Sequence, residues 1–231
     1  MKIESRTFVI SGGASGLGRA CVEDICSKGG YAAILDMNEE TAAEVVKVVG
    51  GGKAKFFQAD VLETESIAQA VKGALSWAKE TGKEVGGVIA AAGVGTPAKI
   101  LDRNLEPFSL SDFDFVMNVN VRGTIDLIRQ VLPHMARATP VGEDGERGVI
   151  IMVSSSAAFD GQPGQVAYAA SKGALGCYCG AQASLKRVME FPLRPGKPHE
   201  FAQLVTQGIE NIMLNGVVLR LDGGMRMPSK M

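Results

Sequence analysis

Thr7-Phe8-Val9-Ile10-Ser11-Gly12-Gly13-Ala14-Ser15-Gly16-Leu17-Gly18 is the stretch on which the fold turns. A short apolar run breaks into a glycine-rich turn, and the helical pattern Arg19 to Lys28 follows at once. A strand that feeds a helix through glycines makes a phosphate cradle. The missing Cβ atoms let the backbone approach a pyrophosphate, and the free N–H groups of the first helical turn meet the anion. The spacing is Gly12-x-x-x-Gly16-x-Gly18 rather than the commoner G-x-G-x-x-G. Taken alone, such a loop also fits a purely structural turn.

The next segments extend the same pattern. Tyr31-Ala32-Ala33-Ile34-Leu35-Asp36 reads as a second strand ending in an acid, eighteen residues beyond Gly18. A carboxylate there suits the ribose hydroxyls of an adenosine and repels a 2′-phosphate, which favours NAD over NADP. The alternative is a cap for the helix that begins near Glu39. Ala54 to Val61 reads as a third strand with Asp60 at its C-terminal end, where doubly wound sheets collect their ligands, so Asp60 is placed toward the adenine. Thr64 to Lys79 carries helical spacing at Ile67, Val71 and Leu75, and Trp77 on it reads as packing. Gly87 to Gly93 is a fourth strand, apolar throughout as a parallel strand buried on both faces is.

Residues 94–112 read as a loop with Pro97 and Pro107, and Phe113 to Ala138 as one long helix. Asn120 inside it is a poor helix former that needs a reason, either a cap or a kink toward a site. A surface loop over 140–147 leads to the fifth strand, Val149 to Val153. Strand and helix alternating in one direction predict an α/β, Rossmann-like doubly wound parallel sheet with helices on both faces, one domain over residues 1–231.

The chemistry-bearing residues follow the fifth strand. Ser155 lies thirteen positions before Tyr168, and Lys172 lies four after it. On a helix Tyr168 and Lys172 share a face. An ammonium near a phenol stabilises the phenolate and brings its proton into the working range of pH. A serine hydroxyl nearby suits a substrate oxygen that gains or loses that proton. By themselves these residues also fit an ordinary Tyr/Lys pair on a solvated helix.

Composition narrows the classes. A formal net charge of −1 gives no electrostatic footprint for direct nucleic-acid or anionic-membrane binding. No apolar run approaches the roughly 20 residues of a membrane span. His134 and His199 are the only imidazoles, so no metal centre is expected. Cys21, Cys26, Cys177 and Cys179 show no zinc spacing and read as small core residues of a reducing compartment. The first strand begins by Thr7, which leaves no room for a secretory signal and shows no cleavable mitochondrial presequence; an uncleaved internal address stays open.

Together Gly12-x-x-x-Gly16-x-Gly18, Asp36, Asp60-Val61, Asn120, Ser155 and Tyr168-x-x-x-Lys172 resemble the short-chain dehydrogenase/reductase family. Ser11–Gly18, Gly148–Lys172 and Asn215–Met227 are most similar to its branch of 3-hydroxyacyl-CoA and hydroxysteroid dehydrogenases. The resemblance implies that Tyr168 is the general acid/base. Lys172 would tune it and bind the nicotinamide ribose, Ser155 would hold the substrate oxygen, and Asn120 would hold a proton-relay water. Gly12, Ser15, Gly16, Leu17, Gly18, Asp36, Asp60, Val61, Ala91 and Gly93 would line the NAD site with Tyr168 and Lys172. It further implies a small-molecule substrate (an acyl-CoA or steroid), a homotetramer, a role in lipid metabolism, and a mitochondrial location with the cytoplasm as alternative.

Two departures from that pattern stand out. Ala90-Ala91-Ala92-Gly93 lacks the asparagine usual after the fourth strand. Only 49 positions separate Lys172 from Leu221, with residues 173–185 read as helix, 191–198 as loop, 199–214 as helix and 216–221 as the last strand. A sixth strand and most of a substrate lid have no counterpart. Residues 216–221 are therefore expected to pair with Val149–Val153 and cover its edge. The shortening also raises a second reading: a catalytically impaired scaffold or interaction partner, as the branch offers in mitochondrial tRNA processing.

Overall fold

The computed structural model describes residues 2–143, 145–160, 163–175, 194 and 196–222. In chain order the elements are β1 (Thr7–Ser11), α1 (Gly16–Ser27), β2 (Tyr31–Asp36), α2 (Glu39–Val49), β3 (Ala54–Gln58), α3 (Thr64–Glu80) and β4 (Val85–Ala90). Then follow α4 (Leu110–Met117), a π-helical turn (Asn118–Gly123), α5 (Thr124–Arg137), β5 (Val149–Met152), a one-turn 3₁₀ helix (Ser156–Ala158), α6 (Val166–Leu175) and α7 (Pro198–Glu210). They fall into two compact units, each assembled from separate stretches of chain.

The first unit comprises Met1–Ala92, Gly123–Ile151 and Pro198–Gly216. Its sheet has the order β3-β2-β1-β4-β5, with β2 and β4 both parallel to β1 and β3 parallel to β2. All five residues of β1 and all six of β4 are buried, so apolar residues fill both faces instead of alternating. One face packs Val9, Leu35 and Val88 against Ile67, Val71, Ala74 and Trp77 of α3 and Leu127, Val131 and Met135 of α5. Trp77 is packing, as expected, with its ring tilted against Tyr31 and Phe57 at centroid distances of 6.1 and 6.3 Å. Elsewhere α1 packs on α7, where Lys28 Nζ and Thr206 Oγ1 both donate to Asp24 Oδ2 at 2.9 and 2.8 Å. Cys21 and Cys26 are buried thiols outside any disulfide; desolvation pushes the Cys26 thiol up to about 12 against smaller opposing effects of Lys53 and the Ala32 backbone, which makes it an inert core group. Cys177 and Cys179 lie outside the described residues.

The second unit comprises Gly93–Arg122, Met152–Lys197 and Val217–Met231. Its centre is α6, packed on α4 and on the 3₁₀ turn. The segment after β4 is mostly loop, as expected, fastened by the bridge Ala98 to Gln165 and by Leu101 to Pro107.

Several expectations change. The helical run read from Phe113 to Ala138 is helical from Leu110 to Arg137, but it passes through a π turn at Asn118–Gly123, where the buried Asn120 turns its side chain to the Val94 backbone. β3 ends at Gln58, so Asp60 lies in the turn beyond the strand and not on it. α7 stops at Glu210 instead of Leu214. Residues 216–221 form no strand, and no such ladder with β5 exists; β5 is an edge of the sheet among the described residues. The segment has strand-like composition, but Val217 and Val218 are exposed, and Arg220 is held by Asp222 and Asp160 at 2.6 and 3.1 Å. The helix read over 173–185 is seen only to Leu175, and most of the loop read over 191–198 lies outside the described residues.

Candidate active site

The cradle is built in the first unit. Gly12 has φ of +66°, and a Cβ there would sit 2.9 Å from Ala92 Cα. A Cβ on Gly18 would collide with the Gly12 carbonyl oxygen. Both positions therefore require glycine, one for its dihedral and its neighbour, the other for the closeness of two backbones. Ser15 is the N-cap of α1 but makes no side-chain cap bond, and the first turn holds no carboxylate. Ser15 and Gly16 are exposed and Leu17 is half-buried, so this helix end faces outward with its donors available to an anion. These features fit the pyrophosphate of a dinucleotide.

Asp36 closes one side of the cradle. Its Oδ2 accepts the Ala14 N–H at 3.1 Å and its Oδ1 accepts the Asn38 N–H at 3.1 Å. The cap of α2 is Asn38, whose Oδ1 accepts the Thr41 N–H at 3.0 Å. That assignment removes the helix-cap reading of Asp36. Asp60 shapes its own turn, with Oδ1 accepting the Leu62 N–H and its backbone N–H donating to Ser66 Oγ, both at 2.9 Å. A Cβ on Gly123 would sit 2.7 Å from the Val61 carbonyl oxygen, so Val61 is held by close backbone contact. Ala91 adjoins Gly12, and where the usual asparagine is absent, Ser11 Oγ accepts the Ala92 N–H at 3.3 Å.

Asn120, Ser155, Tyr168 and Lys172 all belong to the second unit, together with Gly93. Asn120 is fully buried, and its Oδ1 accepts the Val94 N–H at 2.8 Å while its Nδ2 donates to the Val94 carbonyl at 2.9 Å. Nδ2 also donates to Ser171 Oγ at 2.9 Å, and that hydroxyl donates to the Tyr168 carbonyl at 2.8 Å. The π turn is thus the place where a side chain leaves the helix to clamp the post-β4 segment and α6 together; π bulges commonly mark such sites.

Lys172 is 4% exposed and its Nζ donates to the Val153 carbonyl at 2.9 Å. Burial lowers its pKa from 10.5 to about 8 by desolvation, so it remains largely protonated at neutral pH but releases its proton readily. Its Nζ is 5.8 Å from the Tyr168 ring centroid, which brings together the two residues that the four-residue spacing predicts. Ser154 Oγ fixes the far end of that turn by donating to the Lys172 carbonyl at 2.5 Å. A Cβ on Gly93 would meet Asn120 Oδ1 and Lys172 Nζ, both at 3.2 Å, which leaves that position no room for a side chain without displacing one of them. Ser155 is buried and its Oγ accepts the Ala157 N–H at 3.3 Å as cap of the 3₁₀ turn.

Ser154 and Ser171 were not singled out by sequence reasoning. The available signal was Asn120 itself, a buried amide that needs partners, and Ser171 lies three residues past Tyr168 on the same helix. Among the described residues no cluster of His, Cys, Asp and Glu could hold a metal, and no helix is long and apolar enough to cross a membrane.

Known proteins resemble the chain in sequence and in fold. The short chain dehydrogenase family model matches residues 6–184. The 3-hydroxyacyl-CoA dehydrogenase type-2 of Bos taurus is 36% identical over 258 aligned positions, covering 97% of each chain. That of Drosophila melanogaster is 33% identical over 258 positions, covering 97% of this chain and 99% of the fly protein. Because 258 positions exceed the 231 residues here, at least 27 positions of each relative have no counterpart in this chain. The crystal structure of 3-hydroxyacyl-CoA dehydrogenase type-2 from Mycobacterium avium superposes with a TM-score of 0.87 at 28% identity, covering 100% of both chains. A family match over most of the chain, with relatives above 30% identity along nearly their whole length, places the protein in the short-chain dehydrogenase family as an oxidoreductase.

Proposed function

We propose that the protein interconverts a secondary alcohol and a ketone with NAD, and that its substrate is a 3-hydroxyacyl-CoA or, failing that, a hydroxysteroid. The observation that carries this reading is the buried Lys172 ammonium beside the Tyr168 ring, on a helix clamped by Asn120 and Ser171. Tyr168 takes the proton of the carbinol in oxidation and returns it to the ketone oxygen in reduction. Lys172 stabilises the phenolate by its charge, at a site where burial makes that charge count for more than in water. Ser155 hydrogen-bonds the reacting oxygen, and Asn120 holds the relay that refills the phenol.

The cradle of Gly12, Ser15, Gly16, Leu17 and Gly18 would hold the pyrophosphate, Asp36 the adenosine ribose, and Asp60, Val61, Ala91 and Gly93 the rest of the dinucleotide with Tyr168 and Lys172. Asp36 favours NAD, since its carboxylate would repel a 2′-phosphate. When bound, NAD supplies the acceptor of the hydride that leaves the carbinol carbon. Residues 1–231 are taken as one dinucleotide-binding dehydrogenase domain, because each compact unit is assembled from non-contiguous segments. A homotetramer, a mitochondrial location and a role in lipid metabolism belong to the same reading.

The test is direct: purified protein with NADH and acetoacetyl-CoA, followed by loss of NADH absorbance. Consumption dependent on the acyl-CoA supports the enzyme. NADH binding without turnover supports the second reading, a scaffold or interaction partner, which the at least 27 positions without counterpart favour.

A further inference from the structure

The turn that carries Ser155 ends at Asp160, and Arg220, sixty positions further on, grips that end. Inside the turn, Ser155 Oγ accepts the Ala157 N–H at 3.3 Å and the Ser155 carbonyl accepts the Ala158 N–H at 3.0 Å. The Ser156 carbonyl accepts the N–H groups of Phe159 and Asp160, both at 2.9 Å. The bond from Ala157 uses a lone pair of the Ser155 oxygen and leaves the hydroxyl hydrogen to be donated elsewhere. The turn therefore sets where that oxygen sits. Arg220 Nη2 donates to Asp160 Oδ2 at 3.1 Å, and its guanidinium carbon lies 5.1 Å from the centroid of the Phe159 ring. The same guanidinium is anchored on its own segment, where Nε and Nη2 donate to Asp222 Oδ2 at 3.0 and 2.6 Å. One planar fork thus meets two carboxylates and an aromatic face, an arrangement that suits arginine and not lysine. An isolated surface ion pair would fix little. Here all three charged side chains are less than a third exposed, and both segments belong to the second unit.

We infer that Arg220 is a positioning residue: through Asp160 and Phe159 it holds the Ser155–Asp160 turn, and through the turn it aims the Ser155 hydroxyl. This rests on the reading of Ser155 as the group that hydrogen-bonds the reacting oxygen, and it gives the segment 217–222 a part in the reaction. The segment forms no strand, but its Arg220 braces the turn from outside. A hydroxyl aimed at an oxygen that gains charge acts mainly in the transition state, so loosening the brace lowers kcat and leaves substrate affinity nearly alone.

Replacing Arg220 itself would strand the buried Asp222 carboxylate and endanger the fold. Asp160→Ala cuts only the tie to the turn and leaves the Arg220–Asp222 pair in place. The expected result is a fall of about fivefold in kcat for acetoacetyl-CoA reduction, with KM and the NADH dissociation constant near wild type. The decisive comparison repeats Asp160→Ala in a Ser155→Ala background. A residue that acts through Ser155 has nothing left to position there, so no further fall is expected. The same fall in both backgrounds, or none in the first, overturns the inference. If the wild type turns over no acyl-CoA, the reading of the active site fails, and the inference is decided by amide hydrogen exchange over residues 157–160. Exchange about fivefold faster in Asp160→Ala supports the brace, and unchanged exchange rejects it.

Discussion

The two units make their candidate sites by opposite means. The cradle of the first is almost entirely backbone: glycines without room for a Cβ, an open helix end, and one carboxylate that grips two N–H groups. The Tyr168 region of the second is held by side chains reaching across the sequence, Asn120 to Val94 and Ser171, Ser154 and Lys172 to backbone carbonyls. A backbone site tolerates no added atom at its close contacts. A side-chain site fails one hydrogen bond at a time. Substitutions in the two units should therefore differ in kind.

The largest expected effect is in the cradle. Gly18→Val forces a branched side chain into the Gly12 carbonyl, and should cost about 4 kcal/mol or more of stability and abolish NADH binding. Denaturant unfolding and fluorescence titration with NADH check both. Asn120→Ala comes next, because it leaves the Val94 N–H and carbonyl unpaired; a loss of about 3 kcal/mol is expected in denaturant unfolding, with NADH binding the less affected property.

A third effect is pH-dependent. Lys172 has a folded pKa of about 8 against 10.5 for the free side chain, so between these values the unfolded chain holds a proton that the folded chain has released. Stability contributed by this group therefore rises as pH climbs from about 8 to about 10.5, by roughly 3 kcal/mol, and sits at its lower level below pH 8. Lys172→Met should flatten that rise in unfolding measured across the window. The smallest effect is at Asp36. Asp36→Asn retains an acceptor for Ala14 but drops the charge, and should narrow the preference for NADH over NADPH about tenfold, read from the two dissociation constants.

The same contrast explains what could be read from the sequence. The cradle was legible because its glycines are local and their spacing is the geometry itself. Asp36 was legible in position, while the choice between ribose anchor and helix cap waited for Asn38 to be seen capping α2. That Tyr168 and Lys172 share a helix face was legible from their four-residue spacing, while the burial of Lys172 was not. The π turn was not, since apolar spacing runs through Asn118–Gly123 without a break, and the cause of the turn is Val94, more than twenty residues earlier in the chain. Ser154 was hidden for the same reason, since its partner is the Lys172 carbonyl eighteen residues on, and Ser171 was signalled only through the amide of Asn120. The strand expected at 216–221 failed because β-branched residues report fitness for a sheet, while the presence of a ladder depends on an available neighbour and on competing pairs such as Arg220 with Asp160.

The central claim is that the phenol of Tyr168 moves the proton at a carbinol. It is tested most directly by the rate of acetoacetyl-CoA reduction at saturating NADH in the wild type and in Tyr168→Phe. A fall in kcat of about a thousandfold, with NADH affinity and thermal stability close to wild type, is the predicted result. Wild-type turnover that survives the loss of the hydroxyl would contradict the account.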